Sequence, residues 1–175
     1  MIDNIDKIRR AINLCILFTR NMAYYRASYD DSRYVAGNND FSITISGNFI
    51  DISIIEWCKL FGAYGDNHHW RNLIGDDADD FSSLLHEHLS MSESDFKEYH
   101  QSMKNYRDVF AAHWDDDGEG KRPYLDSAFE CVVFLHEYIF TNFEKSSALQ
   151  DKVRDLRGYY EACYKEARKC YQAIS

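Results

Sequence analysis

Apolar residues recur along much of this chain at alternating intervals of three and four, the spacing that lines one face of an amphipathic helix. Ile5, Ile8, Ile12, Cys15 and Met22 predict a long first helix over roughly residues 3–28. "AGNND" (36–40) is a loop, and "DFSITIS" (40–46) alternates like a strand. With no second strand to pair with, that stretch reads as an extended lead-in to the helix after it. Ile50, Ile54, Trp57 and Phe61 mark that helix, with Gly62 as its stop signal. "DNHHWRNLI" reads as a short helix capped by Asp66 and "FSSLLHEHL" as another, separated by Asp-rich "GDDADD". "SESD" at 92–95 is a capping-box start with Asp95 in the place usually held by Glu. The helix it opens carries Phe96, Tyr99, Met103, Tyr106 and Phe110 and should end near Ala112. Beyond the loop "DDDGEGKRP", Pro123 sits just before or in the first turn of a helix carrying Leu125, Phe129, Val132, His136, Ile139 and Phe143. Leu149, Val153, Leu156, Tyr160, Cys163, Ala167 and Cys170 predict the last one.

Composition strengthens this reading. One proline and eight glycines in 175 residues are too few breakers for a turn-rich β fold, and 45% hydrophobic residues supply a core. The expectation is a single domain over 1–175, an all-α bundle of about four to five long helices plus short ones. The formal net charge of −9 disfavours non-specific nucleic-acid binding, which depends on Lys and Arg neutralising phosphates. Any nucleic-acid function therefore needs a local basic patch. The five cysteines, at 15, 58, 131, 163 and 170, form no CxxC pair and read as reduced thiols of a cytoplasmic protein. "MIDNIDKIRR" lacks a basic region leading into an apolar run, so no signal peptide is expected, and no apolar run has the length of a membrane span.

The stretch that carries chemistry is "YRDVFAAH", with Arg107 and His113 six positions apart. In an ideal helix that is about 9 Å of rise and roughly 120° of rotation, so the two do not share a face. One reading is a surface arginine and a helix-terminal histidine that favours the C-terminal dipole. The other is a helix that ends just before His113, letting a long arginine and the imidazole reach one cleft. His113 continues the apolar spacing of Tyr106 and Phe110, which points it inward or toward a partner.

"YRDVFAAH" resembles the R-x(4–6)-H motif of the HEPN superfamily, helical domains of many prokaryotic toxins and defence proteins. Asp108 holds the position after the arginine, where that motif has Asn, Asp or His. "EWCKLFGAYGDNHHWRNLI", the serine-capped helix ending in the motif, and "RPYLDSAFECVVFLHEYI" look like abortive-infection-type HEPN proteins over roughly residues 45–143. The resemblance implies a HEPN-like bundle and metal-independent RNA cleavage with no cofactor. It also implies a homodimer in which motifs of two protomers meet in composite sites. By resemblance, Arg107 clamps the phosphate, His113 is the acid/base, and Asp108 orients. The chemistry suits the residue types: a histidine exchanges protons near neutral pH, and a guanidinium offers two parallel donors to a phosphate.

The surroundings pull both ways. Asp115, Asp116 and Asp117 repel a phosphate backbone if they face it, or form a solvated loop, while Lys104, Lys121 and Arg122 offset them locally. Lys104 and Trp114 are candidate substrate-binding residues, Trp114 by stacking a base or else by filling a dimer seam. The tyrosines at 159, 160, 164 and 171 read as packing residues and His136 as a hydrogen-bonded core histidine. His68–His69 and His86/His88 diverge on a helix, since only i,i+3 and i,i+4 pairs share a face, so no metal site is assigned. The leading expectation is an endoribonuclease toxin of a phage-defence or toxin–antitoxin system, with RNA as substrate, a cognate antitoxin protein as partner and no membrane association. The alternatives are a non-catalytic HEPN-like interaction module and an unrelated metal-dependent helical enzyme.

Overall fold

The computed structural model describes residues 4–30, 33–36, 39–63, 65–111 and 122–174. The order is α1 (Asn4–Ala27), β1 (Tyr29–Asp30), β2 (Arg33–Tyr34), α2 (Asp40–Phe61), α3 (Trp70–Ile74), α4 (Ala78–Leu89), α5 (Glu93–Tyr106), α6 (Leu125–Asn142) and α7 (Leu156–Ile174). Short 3₁₀ turns at Gly75–Asp77 and Ser147–Leu149 and a π turn at Arg107–Ala111 complete it. The molecule is an all-α bundle, its only described sheet the two-residue antiparallel pairing of β1 with β2. α1 is the hub, packing on α2, α6 and α7. Its buried stripe of Ile8, Ile12, Cys15, Phe18 and Met22 is the predicted one. No helix among the described residues is long and apolar enough to cross a membrane.

Four local expectations need correction. "DFSITIS" is the first two turns of α2, not extended chain: Asn39 caps it, its side-chain oxygen accepting from Ser42 N at 2.9 Å. The two-fold alternation of Ile and Ser was accidental, and the burial of Ser42, Ser46, Ile50, Ser53, Ile54 and Trp57 follows the helical period. Small serines let α1 pack on this face, and just past its end the Ser28 and Ser46 hydroxyls meet at 2.7 Å. At α3, the cap is His69, whose Nδ1 accepts from Arg71 N, while Asp66 accepts from the backbone and ring of His68. The last predicted helix is two pieces, because the chain leaves the 3₁₀ turn at Leu149 and α7 starts only at Leu156. "GDDADD" is likewise not a separator: its last three residues already form the first turn of α4, where acids suit the helix dipole.

Trp57, fully buried, organises the core beneath the site. It stacks on Phe61 at 5.2 Å and meets Tyr99 of α5 edge-on at 5.8 Å. Removing such a side chain costs about 3–5 kcal/mol. All five cysteines are free, Cys170 exposed and the other four buried.

Candidate functional site

α5 begins with the capping box expected from the sequence: Ser92 Oγ accepts from Asp95 N at 3.1 Å, and the Asp95 carboxylate accepts from Ser92 N at 3.2 Å. Those bonds hold the Asp95 carboxyl below the usual carboxylate range. The helix is seated on α2 by Cys58, whose thiol donates to Met103 O, and by His100. His100 Nε2 reaches Phe61 O at 2.7 Å and Gly62 O at 2.8 Å, so it carries the proton there and donates to the carbonyls that close α2. Gly62 is needed at this junction for closeness rather than for a left-handed backbone. Its φ is −77°, and a Cβ would stand 2.3 Å from Cys58 O.

At Arg107 the backbone widens from α to a π turn that runs to Ala111. Single π turns of this kind occur mostly inside helices and often at functional sites. Arg107 Nε donates to Asp108 Oδ1 at 2.7 Å, and Nη2 lies 2.7 Å from the same oxygen. The guanidinium rests against the Cys58 thiol, which burial pushes up to about 11 while Arg107 pulls it down. Arg107 keeps 29% of its side-chain exposure and Asp108 keeps 58%. The structure thus brings together Arg107, Asp108 and, one turn earlier, Lys104. His113 and Trp114 lie outside the described residues, as do Lys121 and Asp115, Asp116 and Asp117. Arg122 is committed elsewhere, donating to the Tyr25 and Tyr29 hydroxyls at 3.3 and 3.1 Å. Tyr106, just before the motif, is anchored by donating to Asp51 at 2.8 Å.

Beside Lys104 the helices leave an open cleft of about 430 Å³, floored by Phe61, Trp70, Phe96 and His100 and reached by His86, Arg71 and Lys97. Its histidines come from three elements. His69, at its back, is buried and held neutral: burial, then the nearby Arg71, lowers its pKa to about 4. The sequence reading missed this cleft because it weighed histidines only as pairs within one helix. A usable signal was present, since Lys97, Gln101 and Lys104 sit at i, i+4 and i+7 on one face of α5.

His136 is the core histidine expected from its apolar helix face. It is fully buried, its Nε2 donates to Val153 O at 2.9 Å, and burial lowers its pKa to about 4. Among the described residues no three His, Cys, Asp or Glu side chains converge as metal ligands. Comparison with protein-family models, with curated proteins and with solved structures finds no match to this chain.

Proposed function

We propose that this chain is a HEPN-type, metal-independent endoribonuclease, a toxin of a prokaryotic phage-defence or toxin–antitoxin system that acts as a homodimer with composite Arg/His sites. The observation that carries the reading is the position of Arg107. It is a partly buried guanidinium at a π turn, oriented by the adjacent Asp108, at the end of an anchored helix and six positions before His113 in the sequence. In the reaction, the RNA 2′-hydroxyl gives its proton to His113 and attacks the neighbouring phosphorus. Arg107 stabilises the charge on the phosphoryl oxygens, and the 5′-oxygen leaves with a proton. The products are a 2′,3′-cyclic phosphate and a 5′-hydroxyl. Exposed Val109, within the motif, and exposed Tyr124, just before α6, supply apolar surface for the dimer seam.

A non-catalytic HEPN-like interaction module is the second reading, favoured by the same ion pair: Asp108 already occupies two guanidinium donors, in a chain of net charge −9. Incubating the purified protein with total RNA, with and without EDTA, beside His113→Ala separates the two. The ribonuclease reading expects cleavage that survives EDTA, spares DNA and disappears in the variant. Intact RNA with the wild type, free of any antitoxin and under every divalent ion tried, leaves the interaction module standing.

A further inference from the structure

The cleft beside Lys104 carries its own chemistry. Its described lining sets Arg71, Lys97 and Lys104 against one carboxylate, Glu93, in a chain that is otherwise strongly acidic. Arg71 is held over the Trp70 ring at 4.8 Å and bonded to Asp79, whose side chain stands 95% exposed outside the cleft. Lys97 and Lys104 form no ion pair with any described residue, so their charge is available to a ligand. They stand seven residues apart on one face of α5, about 10 Å along its axis.

The other half of the lining is flat and aromatic. His86 and Phe96 face each other across α4 and α5 with centroids 4.9 Å apart, Phe96 continues to His100 at 6.5 Å, and His69 stacks on Trp70 at 5.5 Å. Cations spaced along a rail beside ring faces match a ligand that alternates phosphates with planar bases. An acidic peptide would use the lysines and leave the rings idle. The cleft volume of about 430 Å³ lies in the range of small-ligand pockets.

We propose that this cleft is a nucleotide-binding subsite, taking a base against the Phe96 and His86 rings and its phosphates on Lys97 and Lys104. Arg107 follows Lys104 by three residues, in the π turn just past the end of α5, so a single strand seated here and extended beyond Lys104 runs toward the arginine. That direction rests on the ribonuclease reading, whereas the nucleotide chemistry does not. A free nucleotide and one unit of a single strand share this chemistry and differ in what lies beyond the cleft.

The test uses the full chain carrying His113→Ala, a fluorescein-labelled single-stranded RNA octamer read by anisotropy, and AMP as competitor. Lys97→Ala/Lys104→Ala should weaken octamer binding at least tenfold and lower the salt slope by about 1.4, two single-strand phosphate contacts. Lys97→Arg/Lys104→Arg should restore binding, and the charge-matched Lys165→Ala/Lys169→Ala pair on α7 should bind like the parent. An octamer that binds more tightly than AMP assigns the cleft to a strand, and AMP binding as tightly assigns it to a free nucleotide. The proposal is overturned if the α5 pair weakens binding no more than the α7 pair, if neither octamer nor AMP binds, or if an oligoglutamate peptide displaces the octamer as well as AMP does. Cleavage that needs His113 but ignores the α5 pair sinks the subsite and leaves the ribonuclease. Binding that needs the α5 pair in a protein that cleaves nothing sinks the ribonuclease and leaves the subsite.

Discussion

Two arginine–carboxylate pairs in this molecule do opposite jobs. Arg157 of α7 grips Glu130 of α6 with both terminal nitrogens, at 2.9 and 2.6 Å, and His88 of α4 meets the same carboxylate at 3.1 Å. Three helices far apart in sequence are tied at one point, and Arg157, with His88 behind it, holds the Glu130 carboxyl below its usual range. Among the described residues, Arg107 takes its one ion pair from its sequence neighbour Asp108, while its guanidinium rests against Cys58 of α2. That ion pair joins no two elements, so folding gains little from it. A charged pair that spans the chain is architecture, whereas one closed within a single residue step ties no distant elements together. The histidines divide in the same way, with His136 and His69 built into the structure and His113 assigned to catalysis by the proposed function.

The sharpest break between the two pairs is in RNA cleavage. His113→Ala should lower the rate about 10²–10⁴-fold, and Arg107→Lys should impair it because an ammonium has no planar fork. Arg157→Lys should cleave as the parent does, and equal losses from Arg107→Lys and Arg157→Lys would erase the distinction. Next in size is the effect of pH on stability. Burial lowers the folded-state pKa values of His136 and His69 to about 4, below the ordinary imidazole value of about 6.5, so between those values the unfolded chain holds the extra protons. Their contribution is complete above pH ~6.5 and is lost as pH falls toward 4, by up to about 1.4 kcal/mol per pH unit for each. Buried Glu56 works in the other direction, because burial raises its carboxyl pKa despite the Asn21 amide, and it offsets part of that slope. Urea titrations at several pH values should show stability falling below pH ~6.5, with a flatter slope in His136→Gln.

Smaller still, Arg157→Ala should cost about 1 kcal/mol, the upper end for surface pairs because a network rather than one bond is lost. For a chain of this size that is a Tm drop of about 2–4 °C. Arg107→Ala should shift stability by less than about 0.5 kcal/mol, the size of a local, solvent-screened ion pair. A large loss of Tm in Arg107→Ala would make Arg107 a structural residue and remove the basis for reading it as a clamp.

Where apolar spacing was long and regular, the sequence was enough. The stripe of α1, the capping box of α5 and the face of α6 with His136 inside it are local consequences of helical periodicity and of side chains bonding nearby backbone. The start of α2 was misread because alternating Ile and Ser satisfy a two-residue period and a helical one at once over seven positions. Only burial against α1 selects between them. Arg107, Asp108 and Lys104 were legible as a motif, but the π turn that reorients it depends on how α5 meets α2 at Cys58 and Met103. The cleft was not legible at all. His69, His86 and His100 sit on three separate elements, and residues so far apart in sequence become neighbours only when α3, α4 and α5 pack. Periodicity along a chain decides which side of a helix turns inward. Which inward sides then meet, and what chemistry they bring to one place, is decided by packing between helices, where the spacing within each one carries no information about the others.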